Sequence, residues 1–285
     1  MISMKDLPWV DGFLRPIREE YKKTPPRHEL VEPSNGDISY IRTLCANTDA
    51  FDTLGLKNDC FEALLSGKAD ILKSECELGS ILVVELVAHP FYKPWNTWWR
   101  SIRLMMGSSV RESTKKPVRI IIFGHPRPRE MPTKKGSPIT AEHLNGGMAE
   151  RCNAGSIIIY RQEEATRVMI HELFHASCSD PYHKPTPLIE ADTEAWAEMV
   201  LCGMAAKGSL QPWIRHMRAQ IEYALKQAAT ARDYHHVVSP KDYAWRYLVG
   251  RLDVWRHLGI QVPWFPINYK RVESLRFTVC EPKNT

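Results

Sequence analysis

Three short apolar runs punctuate the first 160 residues: Ile81-Leu82-Val83-Val84-Glu85-Leu86-Val87, Val118-Arg119-Ile120-Ile121-Ile122-Phe123 and Ser156-Ile157-Ile158-Ile159-Tyr160. Their length and β-branched content predict strands, the first a buried one. Elsewhere the spacing is helical. Asp59 to Leu65 and Pro94 to about Met106 carry helix signals, and Glu163-Glu164-Ala165-Thr166-Arg167-Val168-Met169-Ile170 runs on as a helix whose apolar face is Val168, Leu173 and Ala176, with Met169 and Phe174 nearby. Pro187 suits the first turn of a further helix reaching about Ala206, with Ala191, Ala195, Met199 and Cys202 as its packing stripe. Ser239 as N-cap and Pro240 at the first helical position start another, with Trp245, Leu248, Val249, Leu252 and Trp255 turned to the core and Tyr243, Arg246, Tyr247 and Arg251 sharing another face. This order predicts an α+β fold: a helical lobe or cap over residues 1–75, a small sheet over 76–160, a helical pair over 163–206 and a mainly helical part over 210–285.

The helix expected after the third strand carries His171-Glu172-Leu173-Phe174-His175. Residues four apart share a helix face, so both imidazoles can reach one metal ion, and Glu172 is placed to act as general base on a zinc-bound water. A carboxylate as third ligand would leave the fourth position open for that water. Six residues after His175 stands Pro181, and three residues after it Cys178, so the glycine and histidine of a metzincin are missing; an aspartate ligand at that sixth position is missing too, because Asp180 comes one residue early. Glu194 stands nineteen positions after His175, Glu198 follows one turn later, and Glu190 precedes by one turn as the rival third ligand.

His171-Glu172-x-x-His175 with eighteen residues before Glu194, and Thr193-Glu194-Ala195-Trp196-Ala197 around it, resembles the signature of gluzincin zinc peptidases, in particular the aminopeptidase-N-like and thermolysin-like enzymes. The resemblance covers about Ser156 to Glu198. It implies a zincin-like catalytic domain that hydrolyses peptide bonds, with Zn²⁺ held by His171, His175 and Glu194. It also implies a strand edge that holds the substrate backbone, and Glu198 as the carboxylate that orients the first histidine. Gly146-Gly147-Met148-Ala149-Glu150 loosely resembles the segment with which aminopeptidase-N-like enzymes hold a free amino terminus, with Ala149 and Glu150 departing from the pattern; the other reading is a glycine-rich connection. An oxyanion-stabilising group is expected downstream, Tyr243 or Tyr247 first and His236, in the polar segment Asp233-Tyr234-His235-His236 between helices, second.

Composition narrows the context. With 285 residues and 44% hydrophobic content the chain can bury a sizeable core. Cys45, Cys60, Cys76, Cys152, Cys178, Cys202 and Cys280 are odd in number and include no CxxC pair, which predicts free thiols in a reducing compartment. Met1 to Asp6 carries no long apolar stretch and the chain has no run long enough to span a membrane, so a cytoplasmic protein is expected. The net charge of +5 is dispersed apart from Lys115-Lys116 and Lys134-Lys135, which argues against a nucleic-acid role and leaves a peptide or protein as the expected partner. Trp95, Trp98 and Trp99 read as aromatics pinning a helix to the sheet, or as an apolar pocket. The tail from Gln261, with Trp264-Phe265-Pro266, either wraps the domain or docks onto a partner. Two other classes stay open: a zincin-fold scaffold component of a larger assembly, and an iron-dependent oxygenase, since His/His/carboxylate sets also hold iron.

Overall fold

A computed structural model describes residues 4–107, 117–181, 183–265 and 269–280. Lys115, Lys116, Pro266 and the last five residues lie outside them. After a 3-10 turn at Met4–Asp6, the elements in chain order are α1 (Val10–Lys22), β1 (Glu29–Val31), α2 (Asn35–Ala46), α3 (Leu56–Leu65), β2 (Ala69–Cys76) and β3 (Gly79–Leu86). Then come α4 (Trp95–Met106), β4 (Val118–His125), α5 (Ala141–Leu144), β5 (Gly147–Ala149), β6 (Ile157–Arg161) and α6 (Ala165–Ala176). The chain continues as α7 (Thr186–Ala205), α8 (Leu210–His235), α9 (Trp245–Leu248) and α10 (Gly250–His257). The fold is mixed α+β, with ten α-helices and one six-stranded sheet among the described residues. None of these helices is long and apolar enough to cross a membrane.

The chain divides into two compact units, each assembled from separate segments. The first, Pro25–Pro128 with Asn145–Ser179, contains the whole sheet in the order β1-β2-β3-β4-β6-β5. β1, β2 and β3 run antiparallel, β3, β4 and β6 run parallel, and β5 returns antiparallel along β6 at the edge. The three expected strands are β3, β4 and β6; the sheet takes three further strands, β1 and β2 from the region expected to be a helical lobe and β5 from the glycine-rich segment. Leu82, Val84, Ile121, Phe123, Ile158 and Tyr160 meet Ile41 of α2 and Leu56, Cys60 and Phe61 of α3 in one core. The alternate residues Ile81, Val83, Ile120, Ile122, Ile157 and Ile159 are buried as well, on the face where α6 packs on β6 and α4 packs against α6. Burial on both faces accounts for the continuous apolar runs, because a strand with one wet face would alternate.

Trp98 and Trp99 are fully buried. Trp98 Nε1 donates to Thr166 Oγ1 of α6 at 2.8 Å and Trp99 Nε1 to Ser74 Oγ of β2 at 2.9 Å, so both bind α4 into its surroundings with the ring nitrogen satisfied.

Met1–Thr24, Arg129–Leu144 and Asp180–Thr285 make up the second unit. Its core is helical: Trp213 and Met217 of α8, Ala195 and Met199 of α7, and Leu252 and Trp255 of α10. The expected stripe of Ala191, Ala195, Met199 and Cys202 on α7 is buried throughout. The single helix expected from Pro240 is two short ones. Residues 239–244 form turns and bends, and the helix is interrupted at Val249, between Leu248 and Gly250. A side chain at Gly250 would meet the Trp245 ring at 2.7 Å and the Ala191 Cβ of α7 at 2.8 Å, so only glycine permits this approach. Trp245, Leu248, Val249, Leu252 and Trp255 are buried as expected, but Arg251, expected on the tyrosine face, is fully buried too. It donates to the Phe277 carbonyl at 3.2 Å and to Gln227 Oε1 at 2.7 Å. The tail wraps this unit: Leu275 N–H donates to the Arg129 carbonyl, Met131 N–H to that of Glu273, and Gln220 and Gln227 to carbonyls of the tail.

Five cysteines are free thiols, but Cys152 and Cys178 form a disulfide, which corrects the expectation of seven free thiols. Twenty-six positions separate the two, and only the fold brings the turn after β5 to the end of α6. The expectation of a reducing compartment rested on that count and loses its premise.

Candidate metal centre

α6 is buried along nearly its whole length, from Ala165 to Leu173, and packs on β5 and β6. Its sequence supplies apolar residues on more than one side, so the helix sits inside the unit and brings His171 and Glu172 with it, 7% and 5% exposed. His175 is more open. The Nε2 atoms of His171 and His175 lie 3.2 Å apart, with the rings edge to face. Two nitrogens bound to one tetrahedral zinc at about 2.0–2.1 Å stand about 3.3 Å apart, so this spacing fits a shared ion. One helical turn between the two histidines produces the convergence.

Glu172 faces β5. A Cβ built on Gly147 would lie 3.1 Å from Glu172 Oε1, 2.8 Å from Val168 Cγ1 and 2.8 Å from the Ile158 carbonyl, so the strand reaches the helix only because residue 147 is glycine. The glycine-rich segment is thus an edge strand running over Gly147–Ala149 beside the candidate base. Glu150, which ends that segment, is exposed just past the strand and accepts a hydrogen bond from Asn153 Nδ2 at 2.7 Å. Behind Glu172, Tyr160 donates to Asp49 Oδ2 at 2.7 Å; burial first, then that bond and the charges of Asp49 and Glu172, push its phenol far above the ordinary value. Tyr160 therefore stays protonated.

On α7 the three candidate carboxylates have different surroundings within the second unit. Glu198 is fully buried and accepts the Thr278 hydroxyl at 2.6 Å. Glu194, 1% exposed, lies 3.8 Å from the buried Arg251 guanidinium. Glu190 is half-buried and close to Tyr247, whose phenol is pushed well above its usual value, first by burial and then by the Glu190 charge. Tyr243 and Tyr247 pair with ring centroids 5.7 Å apart. The two oxyanion candidates and Glu190 thus form one cluster. His236 is exposed and closes α8 in a left-handed conformation, with φ 57° and its N–H on the Arg232 carbonyl. Asp233 to His235, expected between helices, are the last turn of that helix.

Several residues of these surroundings escaped sequence reading. Asp49, Arg251 and Thr278 lie far along the chain from the residues they serve, and no local spacing marks them. Gly147 alone had a visible signal, the glycine pair, which could not say what it packs against. Compared with protein-family models, with curated proteins and with solved structures, the chain matches none.

Proposed function

We propose that this chain is a zinc-dependent peptidase of gluzincin type, with a zincin-like arrangement of edge strand and active-site helix. The observation that carries the reading is the 3.2 Å spacing of the His171 and His175 Nε2 atoms on one buried helix, with Glu172 between them and turned to the edge strand. The third ligand comes from α7. Glu190 and Glu194, one turn apart, are its two candidates; the family spacing favours Glu194, which has the Arg251 guanidinium beside it. Two imidazoles and a carboxylate are an ordinary zinc set.

When bound, zinc would supply Lewis acidity toward water and toward a scissile carbonyl. The chain's own residues do the rest. Glu172 takes the proton of the attacking water on its carboxylate and delivers it to the leaving amine. The backbone of Gly147–Ala149, at the sheet edge, aligns an extended peptide by strand pairing. Tyr243 and Tyr247 offer hydroxyl donors to the developing oxyanion.

Metal analysis joined to peptide-library cleavage tests this. Wild type should carry about one zinc and cleave; Glu172→Gln should keep the zinc and lose about 10²–10⁴-fold in rate. Glu190→Gln and Glu194→Gln, compared for zinc content, identify the third ligand, the true one losing the ion. Zinc without cleavage would mark a non-catalytic scaffold, and bound iron would overturn the peptidase reading.

A further inference from the structure

We propose that the Cys152–Cys178 disulfide is a redox-operated brace on the second histidine of the candidate metal centre. The inference rests on reading α6 as a metal-binding helix. Cys152 lies in the turn after β5, and Cys178 two residues past the end of α6. Both direct their backbone N–H to the same acceptor, the carbonyl of His175, at 3.0 and 3.1 Å. The last carbonyls of a helix lack partners within it, so these bonds close the turn that carries the ligand. Ser177 N–H on Leu173 and Ser179 N–H on Phe174 complete that turn.

Cys152 and Cys178 both adopt left-handed backbone conformations, φ 59° and 57°, which residues with a side chain disfavour. At Cys178 this conformation belongs to the helix end, where the Cys178 and Ser179 N–H groups bond back to His175 and Phe174, and the covalent link ties that end to the left-handed turn at Cys152. It also closes a loop containing all of β6 and α6. With the link open, Cys178 can leave the left-handed conformation, which swings the following Ser179 N–H off the Phe174 carbonyl, and the turn that brings the Cys152 N–H to His175 is no longer tied to the helix end, so the end of α6 frays. Cys152 is exposed and Cys178 half-buried, so a reductant can reach the bond.

The step needs a dithiol reductant. One of its thiolates attacks a sulfur of the pair, breaking the S–S bond and forming a mixed disulfide; its second thiol then displaces the protein sulfur. The products are Cys152 and Cys178 thiols and the oxidised, cyclic reductant, with two electrons and two protons passed to the protein.

The test measures zinc affinity in a competing-chelator buffer and hydrogen exchange at the amides of residues 175–179. Three samples are compared: the oxidised protein, the same protein reduced by a dithiol and desalted without air, and Cys152→Ser/Cys178→Ser. Reduction should weaken zinc binding by about 10–100-fold, the loss typical when a group supporting a metal ligand is removed. It should also speed exchange at those amides. Reoxidation should restore both in the wild type and in the variant neither. If the oxidised protein binds zinc and reduction changes neither readout, the brace is refuted while the metal reading stands. If the oxidised protein takes up no zinc at all, both fall together. Because reduction of the wild type is itself an arm, a variant that fails to fold does not spoil the test.

Discussion

Gly147 and Glu172 stand so close that a single added carbon on the glycine would lie 3.1 Å from the carboxylate oxygen. The edge strand and the candidate general base are therefore in direct register, and the spacing leaves no room for a side chain between them. Gly147→Ala should overpack this contact and cost about 1–3 kcal/mol of stability. Urea unfolding would show a lower midpoint at unchanged slope. A midpoint equal to wild type would mean that the strand can move away from α6 without penalty.

Asp49 supports the opposite side of Tyr160, and its charge gives the protein an acid-sensitive point. Its side chain is almost fully buried with Lys57 at 3.2 Å and accepts the Tyr160 hydroxyl. Burial alone would raise its pKa, but bonds from Tyr160, the Phe51 N–H and Lys57 hold it below the ordinary aspartate value. A depressed folded pKa means that this stabilisation is present above the unfolded value of about 3.9 and is lost as pH falls through the folded one. Asp49→Asn, which leaves the buried Lys57 ammonium with the Asn47 carbonyl but without its paired carboxylate, should cost about 3 kcal/mol at pH 7. It should also flatten the fall in stability below about pH 4. Parallel pH-stability curves for variant and wild type would remove Asp49 from the account.

Thiol chemistry should divide the five free cysteines. Burial pushes Cys45 up to about 11 and Cys60 up to about 12, so at pH 8 almost none of either is thiolate. Cys202, fully buried, is raised well above its usual value as well. Iodoacetamide labelling of the native protein, read by mass spectrometry, should leave all three unmodified, and all should react after unfolding. Rapid native labelling of Cys60 would contradict its burial.

Trp98→Phe isolates one hydrogen bond. The indole N–H of Trp98 donates to the Thr166 hydroxyl inside the core, on the helix that carries His171. Phenylalanine keeps much of the apolar bulk and drops the donor, so the expected cost is about 1–3 kcal/mol. Thr166→Val in addition removes the stranded hydroxyl and should recover part of it. Additive losses in the double variant would show that the bond contributes little.

Legibility in the sequence followed the source of each signal. β3, β4 and β6 were visible because both of their faces are apolar, and α6 and α7 because their motif spacing and packing stripes lie within one helix. β2 was not visible. It buries Lys73 and Ser74, which look like surface residues until Asp37, 2.7 Å from the Lys73 ammonium, and Trp99, bonded to Ser74, arrive from other elements. The break at Gly250 was missed for a similar reason, since the close approach that demands glycine comes from α7.

By itself the sequence determined the local chemistry: which residues could converge within one or two helical turns, and so the pair His171 and His175 with Glu172 between them. That follows from the fixed geometry of a helix. Only the tertiary structure decided the long-range relationships: Gly147 against Glu172 and Cys152 joined to Cys178 in one unit, and Arg251 beside Glu194 and Glu190 beside Tyr247 in the other. Those relationships join residues with no fixed spacing along the chain, and packing alone brings them together.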